Sequence, residues 1–291
     1  MKRESIQDRL TYVGFTILPL LLYATFYVCQ VISGIFYSFT DWNGMSLSYK
    51  VIGLRNYLVL FRNPTFWRSL GTTFRYAALL VSLTMLLALI LALSLDGLTR
   101  RYQTFFKALF FVPAMLGSVT VALIWSQLYL RAIPFIGNAL NIEILKQSPL
   151  AAPKTTMAAT VFVNIWQSVA IPTLIFIAGL QAVPRELYES AEIDGASLFQ
   201  RFRFITVPGI MPIIIVNLVL LVKGGFTTFD YPYALTGGGP ARATEVIAIS
   251  IVNDAFTNMR FAIANAEAGV LFVIIALISV VQINLARKRD V

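Results

Sequence analysis

The sequence predicts an all-α integral membrane protein of about six transmembrane helices with a cytoplasmic helix-turn-helix segment, and three observations carry that reading. Hydrophobic residues make up 58% of the 291 positions and charged residues 13%, more apolar surface than one soluble core of this length keeps from water. The apolar residues gather in runs of about 20 or more, which at 1.5 Å rise cross a hydrocarbon layer of ~30 Å. Between two of these runs, residues 184–208 form an ordered charged island.

The spans are read in order as Thr11 to Phe39, Leu70 to Leu95, Phe105 to Leu130, Thr155 to Gln181, Pro208 to about Phe229, and Ala268 to Ala286. The first is long enough to resemble a signal peptide, but it lacks a small-residue cleavage site of the usual kind and continues as an anchor. This divides the chain into an N-terminal tail at 1–10, a transmembrane domain at 11–286 and a C-terminal tail at 287–291.

Within the island, Pro184 suits the first turn of a helix, Glu186 and Glu189 sit near its positive end, and Gly195 supplies the left-handed residue that closes it. Ser197 followed by Gln200 has capping-box spacing and starts a second helix, expected to finish before Pro208. Glu189, Glu192 and Asp194 project from the first helix. Leu198, Phe199 and Phe202 give the second an apolar face able to rest on a membrane, and Arg201 and Arg203 give it charge.

With six spans, both termini share a side with the loops around Arg100 and Arg201. That side concentrates Lys2, Arg3, Arg9, Arg100, Arg101, Lys107, Arg185, Arg201, Arg203, Arg287, Lys288 and Arg289. Basic residues on the opposite side, such as Arg55, Arg62, Lys146 and Arg260, are spread over longer loops, so the termini are expected in the cytoplasm. The net charge of +9 is mostly this topological signal. It forms no aromatic-interleaved basic stripe in a soluble domain, and nucleic acid is not an expected partner.

The absences narrow function. The chain has no histidine, which removes imidazole catalysis, an imidazole proton relay and histidine metal ligation. Cys29 is alone, so it forms no intrachain disulfide and reads as a small buried residue of the first span. No phosphate-loop motif occurs, so ATP hydrolysis by this polypeptide is not expected. Neither a catalytic nor a metal site is read, and no cofactor is assigned to the chain. Charges within spans are scarce: Arg75, Asp96, Lys223 and Glu267 fall near span ends, where snorkelling or capping competes with a transport role. No convincing internal repeat appears.

The island resembles the signature of membrane subunits of ATP-binding-cassette importers, Glu-Ala-Ala, three residues, Gly, nine residues, Ile-x-Leu-Pro. Here it runs Glu189-Ser190-Ala191, Gly195, then Ile205-Thr206-Val207-Pro208, with Ser190 for alanine and Val207 for leucine. The resemblance implies a coupling helix docked on a cytoplasmic ATPase, with Glu189, Ala191, Asp194 and Gly195 at the contact. A second landmark, Leu235-Thr236-Gly237-Gly238-Gly239-Pro240 with Thr244 beyond it, cannot continue a helix. It looks like the carbohydrate-uptake permeases of the maltose and glycerol-phosphate type, as does Gly53-Leu54-Arg55-Asn56-Tyr57. The large outer insertion and extra N-terminal spans of the maltose permease are absent.

A sugar path needs polar groups for hydroxyls and apolar or aromatic surface for ring faces. Asn164, Gln167, Ser168 and Ile171 share one face of the fourth span at helical spacing, and Leu221, Gly224, Gly225 and Thr228 share a neighbourhood in the fifth. By the resemblance these positions match the sugar-holding ones of the maltose-type permease. Asn164 keeps the family residue, whereas Gly224, Gly225 and Thr228 replace larger or amide-bearing side chains. Asn164 and Gln167 equally suit helix-to-helix hydrogen bonds. Of Trp42, Trp67, Trp125 and Trp166, which membrane interface belts largely explain, only Trp166 is expected near the cavity.

The resemblance therefore implies a multi-pass permease subunit of the cytoplasmic (inner) membrane, surrounded by lipid and importing a sugar or oligosaccharide. Its implied partners are a homologous second permease, a cytoplasmic ATPase dimer that uses ATP and magnesium, and an extracytoplasmic solute-binding protein. A glycerol-phosphate-type solute stays open. The alternatives are a stand-alone secondary transporter, or a membrane scaffold with no transport.

Overall fold

The computed structural model describes residues 6–287; Lys2, Arg3, Lys288 and Arg289 of the expected cytoplasmic tails lie outside the described residues. Four helices among these are each long and apolar enough to cross a bilayer, Gly14–Tyr37, Pro64–Asp96, Ser118–Ala139 and Phe261–Asn284, and two bent helix pairs bring the number to six. The element order follows the expected spans, with differences at their breaks. Two compact units divide the chain, one of residues 1–66 and 251–272, the other of residues 67–250 and 273–291.

In the first unit, the chain leaves the first span at Tyr37 and turns back through a single antiparallel bridge between Thr40 and Val51. Asn56, buried on the short helix Arg55–Arg62, holds that turn by donating to the carbonyls of Ser38 at 2.8 Å and Thr40 at 2.7 Å. Trp42 stacks on Tyr37 with ring centroids 4.3 Å apart, and its carbonyl accepts from the Ala262 amide. The start of the last long helix is thereby tied to this turn. Glu267 is completely buried, which corrects the expectation that it snorkels at a span end. Cys29 is exposed on the first span and not buried as expected, because that span keeps its apolar side chains outward, where lipid is the matching solvent.

In the second unit, Tyr76, Leu80, Ala88 and Ala92 of the second span pack with Val161, Ile165, Phe176 and Ile177 of the fourth. The third span differs from its expected bounds of Phe105 to Leu130. One helix ends at Ala114, Gly117 is extended with ψ of 138°, and the spanning helix begins at Ser118. Pro113 near the end of the first helix lacks the N–H a regular turn needs, and the uniformly apolar run hides this break from any periodicity argument.

The fourth span is two helices, Pro153–Ser168 and Ala170–Ala182, bent by 50°. Pro172 has no N–H for the Ser168 carbonyl, and the bend falls between them. The fifth is bent by 66° between Leu198–Gly209 and Met211–Phe226. Here the expectation that the second island helix stops before Pro208 is corrected. Residues Phe202–Thr206 form a widened turn in which Val207 N–H reaches the Phe202 carbonyl, so helix continues through Pro208 to Gly209. The loosened turn tolerates the proline's missing donor, and the bend comes instead at Ile210, just before Pro212.

The two bent spans lie close because glycines permit it. A β-carbon on Gly179 would sit 2.6 Å from Ile213, and one on Gly209 would sit 2.8 Å from Val183. Asn217 adds a bond from its amide to the Pro172 carbonyl at 3.2 Å, tying the fifth span to the fourth just past its bend.

Candidate functional site

The bend of the fourth span borders a cavity of about 380 Å³ whose facing wall comes from Asn217 to Tyr231, within the ~300–1,000 Å³ range of small-molecule sites. Of the residues expected on the path, Asn164, Ser168, Ile171, Leu221, Gly224 and Thr228 line it, whereas Gln167 and Gly225 do not. Gly225 faces the second span instead: a β-carbon there would lie 3.0 Å from both the Cα and the Cβ of Ala77. It is a close-packing glycine, and Gly224 beside it has open space.

Gln167 serves as a joint. Its amide donates to the Leu116 carbonyl at 2.7 Å, and its own carbonyl oxygen accepts from the Tyr231 hydroxyl at 2.7 Å. Leu116 sits in the break before the third span, so its carbonyl has no partner from continued helix and is available. Burial, and secondarily the Asp230 carboxylate, push the Tyr231 hydroxyl up to about 12. Ser118, at the start of the third span, donates to Asp230 Oδ2. The broken third span is thus pinned on both sides of Gly117.

Asn164 is buried and its amide donates to the Tyr76 hydroxyl at 3.1 Å, so it both lines the cavity and joins two helices. The Ser168 hydroxyl donates to the Asn164 carbonyl at 2.7 Å. Among the lining residues that the sequence reading did not place on the path are Asn217, Asp230 and Tyr231. Asn217 is fully buried, and its Oδ1 has no donor among the described residues, which leaves an acceptor beside the cavity. A buried polar residue in the apolar run from Ile213 to Val222 was the available signal for it. Phe229, which also lines the cavity, stacks with Tyr233 at 4.8 Å and presents an aromatic border. Trp166 corrects another expectation: it meets Trp125 edge-on at 5.5 Å and borders a separate apolar groove of about 710 Å³, not the polar cavity.

The charged island forms as its caps require. Helix Arg185–Ile193 closes at Gly195 with φ of +75°, and Ser197 and Gln200 complete a reciprocal capping box. Arg201 pairs with Glu192 at 3.1 Å across the turn, while Tyr188 and Thr206 hydroxyls meet at 3.0 Å. Glu189 and Asp194 are exposed, Ala191 is half-buried, and Ile193, Leu198 and Phe199 stand out at 88%, 78% and 73% exposure. Carboxylates around protruding apolar side chains make a face suited to a protein partner with an apolar centre and a basic rim.

The profile of the family described as binding-protein-dependent transport system inner membrane component matches residues 84–290. The multiple sugar-binding transport system permease protein of Streptococcus mutans is 38% identical, with 95% of each chain covered. A probable starch degradation products transport system permease protein of Thermoanaerobacterium thermosulfurigenes is 32% identical over 96% of this chain and 94% of its own. Among solved structures, the bacterial alginate ABC transporter in complex with alginate pentasaccharide-bound periplasmic protein has a chain with a TM-score of 0.81 and 22% identity, covering 97% of this chain and 95% of that one. That likeness is one of fold.

Proposed function

The chain belongs to the family of binding-protein-dependent transport system inner membrane components, and we propose that it encloses half of the path by which an ATP-driven importer carries a sugar or oligosaccharide. The observation that carries this reading is the cavity between the bend of the fourth span and the second half of the fifth, where Asn164, Ser168, Asn217 and Tyr231 offer polar groups beside the aromatic border of Phe229. Hydroxyls need such donors and acceptors, and a ring face needs such a border.

The chain is a permease and not an enzyme; ATP hydrolysis is by a separate subunit. In the proposed assembly a homologous permease supplies the other half of the path, and a solute-binding protein delivers the sugar from outside. A cytoplasmic ATPase dimer, using ATP and magnesium, docks on residues 184–208 through Glu189, Ala191, Asp194 and Gly195, with both termini of the chain on the same side. Its closure moves the paired short helices as one body, joined by the tight turn at Gly195 and the capping box of Ser197 and Gln200, and shifts the permease pair between inward- and outward-facing states.

Reconstitution tests this directly. The full importer in proteoliposomes should accumulate radiolabelled maltotriose or another member of a panel of neutral di- and trisaccharides on addition of ATP, while the chain alone should show neither uptake nor ATP hydrolysis. Uptake by the lone chain under a proton or sodium gradient would establish a secondary transporter instead. ATP-driven uptake of glycerol phosphate with no sugar uptake would replace the substrate class.

A further inference from the structure

Asp230 is the only residue with a formal charge among those lining the cavity at the bend of the fourth span. No lysine or arginine shares that lining. Its Oδ2 accepts from Ser118, and its Oδ1 has no protein donor among the described residues. The rest of the lining is apolar or neutral: Leu80, Ile171, Pro172 and Leu221 on one hand, Asn164, Ser168 and Thr228 on the other. A carboxylate in such surroundings is little compensated, because the lining holds no counter-charge and its apolar side chains do not screen it.

We propose that Asp230 sets the charge selectivity of this cavity, admitting uncharged saccharides by accepting hydroxyl hydrogens at Oδ1 and rejecting sugar acids and phosphorylated sugars. This rests on the reading of the chain as a sugar permease. A hydroxyl can meet Oδ1 as a donor. A ligand carboxylate or phosphate brings acceptors of its own and a like charge, with no cation in the lining to pair it. Tyr231 cannot compensate, since its hydroxyl hydrogen is committed to Gln167. Ser118 holds the carboxylate in place and acts as a positioning residue for it.

The field of Asp230 is measurable without transport. Gly224 lines the cavity, is exposed to it, and has open space where a side chain would go. In the assembled importer, with Cys29 (the only cysteine) changed to serine, Gly224→Cys supplies one thiol in the cavity. Its labelling rates with cationic trimethylammonioethyl methanethiosulfonate and anionic sulfonatoethyl methanethiosulfonate are each divided by the rate with a free thiol. The cation-to-anion ratio should fall by about tenfold on Asp230→Asn and should be kept by Asp230→Glu, which guards against a general loss of structure. An unchanged ratio in Asp230→Asn, or a ratio lost equally in Asp230→Glu, overturns the assignment whatever the importer carries. In the same importer with Asp230 intact, uptake of maltotriose should exceed that of its aldonic acid by at least about tenfold, and equal uptake of the two also overturns it. If the labelling ratio behaves as expected but no saccharide is taken up, the charge assignment stands and the sugar-permease reading falls.

Discussion

The Asn164 amide donates to the Tyr76 hydroxyl at 3.1 Å, so the fourth span is fastened to the second one helical turn before the bend that opens the cavity. Tyr76 is fully buried, so its hydroxyl depends on this partner. The two roles open to Asn164 from the sequence, ligand contact and helix joint, therefore coincide in one side chain. They separate under mutation.

Asn164→Leu should cost about 1–3 kcal/mol of stability, because it leaves a buried hydroxyl short of a partner. Tyr76→Phe should cost less, and the double variant should cost less than the sum of the two, as a double-mutant cycle on the purified permease complex would read. Transport distinguishes them further. Asn164→Leu should raise the half-saturating sugar concentration by roughly tenfold, whereas Tyr76→Phe should leave it within about twofold, since only Asn164 lines the cavity. Equal shifts in both variants would make Asn164 a helix joint alone.

Adjacent glycines should respond oppositely to bulk. Gly225→Trp places its β-carbon 3.0 Å from the Ala77 backbone, and overpacking at a helix contact typically costs about 1–3 kcal/mol or more. It should reduce the amount of assembled importer in the membrane. Gly224→Trp and Ser168→Trp project into the cavity and should leave assembly and ATP hydrolysis in place while abolishing sugar uptake. Immunodetection of assembled complex beside an uptake assay separates the two effects. A Gly225→Trp importer that assembles normally and loses only uptake would return Gly225 to the cavity wall.

What was legible in the sequence was local. The capping pair Ser197 and Gln200, the left-handed Gly195 and the helix stop at Gly237 with φ of +59° are each fixed by chemistry within a few residues, so they could be read without a fold. The breaks were less legible. A uniformly apolar run carries no periodicity to interrupt, and only the tertiary structure shows that the third span restarts at Ser118 or that the widened turn at Phe202–Thr206 carries helix through Pro208. The site was legible by half. Helical spacing brought Asn164, Ser168 and Ile171 to one face, but it could not show that Gln167 on the same helix turns to Leu116 and Tyr231, 51 and 64 positions away. Nor could it separate Gly224 from Gly225, since which glycine meets Ala77 depends on the rotation of one helix against another.

The last prediction concerns the charged island. Glu192 is already committed to Arg201 at 3.1 Å, whereas Glu189 and Asp194 are exposed with no ion pair among the described residues. Glu189 is therefore a carboxylate free to meet a basic partner, and a charge-assisted bond there is among the stronger polar contacts a docking face makes. Glu189→Lys replaces attraction by repulsion at that point while breaking no ion pair seen among the described residues. It should leave membrane insertion and pairing with the second permease intact, lower co-purification of the ATPase, and cut ATP-driven uptake by about tenfold or more. Glu192→Gln is the control, because it removes an exposed ion pair worth at most about 1 kcal/mol and should keep most of the uptake. Gly195→Ala falls between them: no atom lies near its missing β-carbon, so its cost is the backbone's alone, about 1 kcal/mol for a side chain forced to positive φ, felt as a partial loss of coupling. If Glu189→Lys transports like the wild type while Glu192→Gln does not, the bridge within the island matters more than its outward carboxylate, and the docking contact must be sought among Ile193, Leu198 and Phe199.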